Sequence, residues 1–232
     1  MGFVSAGGLS VLSFMAIVIG ICLAFVGSVG VVSERLEFSV NKEVLKAGVG
    51  ILLWLAFVTA VVMSKILLAH PFPLALIYLA FILSVTVGVA LSKYGNRFAL
   101  GLSVTALIAF QGFRFPLELV LHQWATQGTI PETMTWTGKN WDVLTGLLAI
   151  FIAPWAGRSK YIAWFFNIFG ITMLLHTVYV AIMSSPMPFA WDVHPKLLLV
   201  FFVPYFLIVP VCLGAALAGH VILTKALLYG RV

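Results

Sequence analysis

Long apolar runs separated by short polar clusters organise this chain. A helix that crosses a membrane needs about 20 predominantly apolar residues. Seven stretches supply one: 8–32, 47–69, 72–91, 98–124, 142–157, 160–183 and 197–227, the fifth being the shortest. Only His70-Pro71 separates the second from the third, and a proline there ends one helix and opens the next. Residues 1–33 carry no charge, so they are expected to form the first span rather than a cleavable leader, which would begin with a basic region. The pattern predicts an all-α, polytopic membrane helix bundle of about seven spans, with residues 1–232 forming a single transmembrane domain.

Composition strengthens this picture. Hydrophobic residues make up 62% of the 232 positions and charged residues 9%, against about 25% charged in soluble domains. The mean hydropathy is +1.15. A net charge of +6 could suggest nucleic acid, but the basic residues stand singly between apolar runs, so the expected partner is the lipid bilayer. A membrane-protein partner or a second copy of the chain is compatible with the same surface. Cys22 and Cys212 fall inside apolar segments without metal-type spacing and are expected to be buried thiols.

Lysine and arginine in the loops set an orientation. With the N-terminus outside, the inner side holds Arg35, Lys42, Lys46, Lys93, Arg97, Arg158, Lys160, Lys225 and Arg231. The outer side then holds only Lys65, Lys139 and Lys196. The positive-inside rule thus gives N-out, C-in, and it favours counting the fifth span. Trp124, Trp136, Trp141 and Trp191 are then expected in an outer aromatic belt, while Ala215 and Gly219 are spaced for close helix contact.

One span departs from the apolar pattern. In FRFPLELVLHQW, residues 113–124, Arg114, Glu118 and His122 recur every four residues. Together with Gln111 they fall within an arc of roughly 80°. An arginine at mid-bilayer costs about 2.5–3.5 kcal/mol on the gentler insertion scale, so this face is expected to look inward and to be paired. An Arg114–Glu118–His122 row fits the i,i+4 spacing, and Pro116 is expected to kink the helix. Asn140 and Asp142 open the fifth span and His176 lies in the outer half of the sixth, whereas His220 is expected on the inner side. The convergence predicts an outward-facing polar pocket lined by Gln111, Arg114, Glu118, His122, Asn140 and Asp142.

Residues 114–149, RFPLELVLHQWATQGTIPETMTWTGKNWDVLTGLLA, resemble a family of uncharacterised multi-pass bacterial membrane proteins. The shared pattern runs Arg-x-Pro-x-Glu-Leu-Val-Leu-His, then Ile-Pro-x-x-Met-Thr, then Gly-(Arg/Lys)-Asn-(Phe/Trp)-Asp-(Ile/Val)-Leu-x-Gly. It falls here on Arg114, Pro116, Glu118, His122, Pro131, Met134, Thr135, Gly138, Asn140, Asp142 and Gly146. SSPMPFAW, residues 184–191, is similar to that family's outer loop before its last helix. The resemblance implies a multi-pass protein of the bacterial inner membrane and carries no activity. Lys139 stands where arginine is the more usual residue, which weakens bidentate anion binding there.

Three chemistries fit these residues. In the first, the pocket binds or processes a small molecule or lipid. Glu118, His122 and Asp142 are then the catalytic candidates, with Gln111, Arg114 and Asn140 binding substrate. His122, Asp142 and His176 could supply three ligands to a divalent metal such as zinc. The second is a proton- or anion-coupled carrier, with Arg114 holding an anionic group and Glu118 and His122 relaying protons. The third is an accessory subunit whose polar stripe docks a partner. Retinal is disfavoured because Lys225 lies at the inner end of the last span, away from mid-membrane. A b-type haem would have only His122 and His176 as axial ligands at similar depth.

Overall fold

The computed structural model describes residues 2–231, and all of the regular structure among them is helical. Six helical segments are long and apolar enough to cross a membrane: Gly8–Arg35, Val40–Ala69, Pro71–Leu91, Val104–Thr126, Lys160–Ser184 and Tyr205–Leu228. The protein is a multi-pass membrane protein built as a helix bundle. Its large apolar side chains face outward as well as inward, Leu9 being 75% and Leu52 68% exposed. In a bilayer that surface is solvated by lipid.

Helix α1 (Gly8–Arg35) and α2 (Val40–Met63) form an antiparallel hairpin. Lys65, in left-handed backbone, ends α2; the short α3 (Ile66–Ala69) follows, and Pro71 opens α4 (Pro71–Leu91). A separate short helix, α5 (Lys93–Gly101), precedes the fourth crossing. That crossing consists of α6 (Val104–Phe110), a 3-10 turn at Gln111–Phe113 and α7 (Arg114–Thr126). The expected distortion is therefore present but lies just before Pro116, which sits in the first turn of α7, where its missing N–H is least costly. Ser103 caps α6 by accepting the Ala106 N–H.

The fifth apolar run forms a helix too short to cross alone. Helix α8 (Val143–Ala156) has 14 residues, so it rises roughly 21 Å against a hydrocarbon core of about 30 Å. Residues 127–142, irregular apart from a 3-10 turn at Glu132–Met134, cover the remaining depth. Asp142, at the start of α8, pairs with Arg114 at the start of α7. Arg114 lies twelve residues below Thr126, roughly 18 Å along the helix. The loop therefore descends from the membrane face to the middle of the bundle. It satisfies its backbone internally, for example Met134 N–H to Pro131, Lys139 N–H to Thr133 and Asn140 N–H to Thr135. Irregular backbone at membrane depth survives only under such protection.

Helix α9 (Lys160–Ser184) returns, and the last crossing is a 3-10 turn (Tyr205–Ile208), a π turn (Val209–Leu213) and α10 (Gly214–Leu228). Gly7 contacts Gln127 at one face, while Lys225 and Tyr229 contact residues 90–96 at the other. The two ends of the described chain thus lie at opposite faces. Trp124 departs from the belt expectation: it is fully buried, donating its indole N–H to Ser10. The core divides into two apolar clusters, one around Phe14, Leu117, Trp124 and Phe206, the other around Ile108, Ala153, Phe166 and Leu223. Polar side chains lie between them.

Candidate functional site

Arg114 is 1% exposed. Its Nε donates to Asp142 Oδ2 at 2.6 Å and its Nη2 donates to Asp142 Oδ1, a bidentate pair. Its Nη1 lies 3.1 Å from Nε2 of His220. A guanidinium only donates, so this nitrogen of His220 accepts and the ring proton sits on Nδ1. That nitrogen is 3.0 Å from Asn167 Oδ1. Asn167 Nδ2 donates to Thr224 Oγ1 at 2.7 Å, and the Thr224 hydroxyl donates to the His220 carbonyl at 2.9 Å. Every donor here faces an acceptor, so the direction of the row is fixed.

A second arm leads towards the descending loop. Asn140 Nδ2 donates to both oxygens of Glu118, at 3.0 and 3.1 Å, and to the Met134 carbonyl at 3.2 Å. Its Oδ1 accepts from the Asp142 backbone N–H at 3.3 Å and lies 2.8 Å from the Thr177 hydroxyl. Glu118, Asn140, Asp142, Arg114, His220, Asn167 and Thr224 therefore form one connected polar chain. It links the loop, α7, α8, α9 and α10. Glu118, Asn140, Asn167 and His220 are each at most 1% exposed.

Several expectations change. Arg114 pairs across helices with Asp142, and no hydrogen bond joins it to Glu118 among the described residues. His220, expected at the inner side, lies in the half of the last crossing nearer Leu228 and joins this layer because the Arg114 side chain reaches it. Asp142 and Asn140, expected at the outer face, are carried to mid-depth by the loop. Gln111, Arg114, Glu118, Asn140 and Asp142 are at most 5% exposed, and none of them lines the two cavities beside this layer.

The proposed metal ligands do not converge either. Both carboxylate oxygens of Asp142 are taken by Arg114. His122 stacks on Trp136 at 4.2 Å with its Nδ1 buried and unpartnered, while His176 Nε2 lies 2.8 Å from the Lys139 carbonyl and its ring stacks on Trp141. No group of three or more His, Cys, Asp or Glu that could hold a metal ion occurs among the described residues. The donor set does not fit zinc. Lys139 places its ammonium 4.5 Å over the Trp191 ring.

Sequence reasoning missed Asn167, Thr177 and Thr224. Each is a polar residue in an apolar span, and the rule that singled out Glu118 applies to them equally. Gln111 belongs to this layer: its Nε2 donates to the Ala216 carbonyl at 3.1 Å, and its Oε1 is buried without a partner, as is Thr145 Oγ1. Gly170 makes the layer possible, because a Cβ there would collide with the His220 imidazole and press on Thr145. Gly170→Ala should displace that ring and cost about 1–3 kcal/mol as overpacking. Unfolding in mixed detergent micelles, with the ring followed by imidazole NMR, measures both effects.

A family model matches residues 67–222, from α3 to within α10. The chain belongs to the DUF8737 family, described as a domain of unknown function. No curated protein and no solved structure matches the chain. The DUF8737 segment contains every member of the polar chain except Thr224, and it leaves out α1 and α2. The matched region is thus the region that builds the buried site.

Proposed function

We propose that this protein is a proton-coupled carrier of the bacterial inner membrane, oriented N-out, in which Glu118 takes up and gives up the proton. The observation that supports this reading is the buried chain from Glu118 to Thr224. Magnitude argues against bracing as its sole role. Interhelical hydrogen bonds between neutral side chains contribute about 0.6 kcal/mol each in membrane bundles. Each ionisable residue at mid-bilayer costs about 2.5–3.5 kcal/mol. Arg114, Glu118 and Asp142 together are an expensive way to hold helices that threonines or asparagines could hold.

Charge arithmetic points to Glu118. The layer contains two acids and one guanidinium, and the guanidinium is bidentate on Asp142. Among the described residues Glu118 is hydrogen-bonded only by the Asn140 amide, which makes it the acid free to change state. As a carboxylate it accepts from Asn140 Nδ2. As a carboxylic acid it must also donate, and the nearby acceptor is Asn140 Oδ1 once that amide turns over. The turned amide would point an N–H at the Asp142 backbone N–H, an unfavourable pairing of two donors. The loop would then shift where it presents Asp142 to Arg114. Proton exchange at one end is in this way felt by the ion pair, and through it by His220 in α10. Such a two-position element is what a coupled carrier requires.

Reconstituted protein tests the reading. Acidification should raise a protonated-carboxyl infrared band, and proteoliposomes should dissipate an imposed pH gradient faster than empty vesicles. Glu118→Gln should lose both responses while keeping its helical signal. A wild-type protein showing neither response, or a Glu118→Gln variant keeping both, overturns it.

A further inference from the structure

A cavity of about 130 Å³ lies beside the loop end of the polar chain. Its walls come from α4, the descending loop, α9, the segment 197–201 and the last crossing, and include Leu79, Met134, Ala181, Val200 and Leu213. No charged side chain lines it, and Thr177 and Ser185 are its only hydroxyls. Leu76, Leu79, Val178, Ile182 and Leu213 are only half-buried. They belong to membrane-crossing segments, so the cavity opens sideways towards lipid rather than towards water. Thr177 on α9 and Ser185, the residue just past its end, are eight apart, roughly 12 Å along the helix direction. One end of the cavity is thus at mid-depth and the other near the end of α9.

We propose that this cavity binds the hydrocarbon chain of a neutral, single-chain amphiphile entering laterally from the bilayer. Size sets the occupant's scale: a dry apolar cavity of about 150 Å³ holds a benzene molecule, so a short alkyl segment fits and a second chain does not. The absence of any cation in the lining excludes phosphate or carboxylate recognition within it. The hydroxyl of the amphiphile lies at the Ser185 end, towards the headgroups, and the chain tip lies against Met134 and Thr177.

The cavity is wired to the polar chain. The Thr177 hydroxyl has a single proton and two acceptors in reach, Asn140 Oδ1 at 2.8 Å and the Met173 carbonyl at 2.9 Å. Met134, whose side chain meets the cavity, accepts from Asn140 through its carbonyl. An occupant pressing on these two residues changes the contacts that Asn140 offers Glu118. As a binding site the cavity stands alone; as the cargo site it rests on the carrier reading.

The probe is a diazirine-bearing octanol, irradiated with full-length protein in detergent and mapped by peptide mass spectrometry. The expected adducts fall on α4, α9 and residues 197–213, saturate with concentration and are competed by unlabelled octanol. Octyl phosphate should compete at least tenfold more weakly. Ala181→Phe, which fills the cavity, should reduce labelling at least tenfold. Glu118→Gln, at a residue that does not line the cavity, should leave labelling in place. Retained labelling in Glu118→Gln separates this site from the proton reading. Unsaturable labelling spread over the lipid-facing α1 and α2, or equal competition by octyl phosphate, overturns the proposal.

Discussion

Arg114→Ala should destabilise the bundle by about 3–5 kcal/mol, the cost of breaking a buried ion pair by removing one partner. The loss arises mainly from what is left behind. Asp142, 5% exposed, would keep a carboxylate in the bundle core with no guanidinium opposite either oxygen. His220 Nε2 would lose its donor, and the row through Asn167 would lose its start. Arg114→Lys should fall between wild type and alanine, because an ammonium keeps the charge but cannot bridge both oxygens in a planar fork. Unfolding in mixed micelles, followed by tryptophan fluorescence, measures the series. The double variant Arg114→Met, Asp142→Leu decides what the pair is for. Replacing both charges with apolar groups of similar volume is often neutral or better for stability. A pair that only braces the bundle would leave the double variant stable and active. The carrier reading expects it stable, with proton exchange at Glu118 no longer moving α10.

The helical architecture could be read from the chain because lipid allows so few alternatives. The six long crossings each follow an apolar run, and the remaining run forms the shorter α8. Inwardness of the α7 face was equally legible, since Arg114 and Glu118 have nowhere else to go. Depth was not. Distance along the sequence from a helix end gives depth only when the chain crosses as a helix, and residues 127–142 descend without one. That descent moves Asn140 and Asp142 from the membrane face to the core, and no apolar periodicity announces it. His220 lies where its place in the sequence put it; what the sequence did not show was its partner. It lies below the midpoint of the last crossing, but Arg114 is long enough to reach down to it. The pairing of Arg114 with Asp142 rather than with Glu118, its i,i+4 neighbour, follows from the same descent.

Asn140→Asp should be among the most damaging nearly isosteric changes in the protein. The side chain keeps its shape and almost its volume, so no cavity opens and no packing is lost. Only the donor inventory changes. Asn140 Nδ2 faces Glu118 Oε1, Glu118 Oε2 and the Met134 carbonyl, three acceptors. An aspartate would present an oxygen to all three. Leaving a buried acceptor unsatisfied costs about 1–3 kcal/mol, and more when the group is charged. A carboxylate facing Glu118 adds like-charge repulsion to that loss. Asn140→Ala removes the same hydrogen bonds without the repulsion and should therefore be the milder variant, a reversal of what size alone predicts. Hydrogen exchange across residues 127–142 should rise in both, and more in the aspartate, because Asn140 is the side chain that ties the descending loop to Glu118 and Thr177. Were alanine the worse of the two, shape rather than donor chemistry would hold the loop at depth. The Asn140 amide would then have no part in passing the state of Glu118 to Arg114.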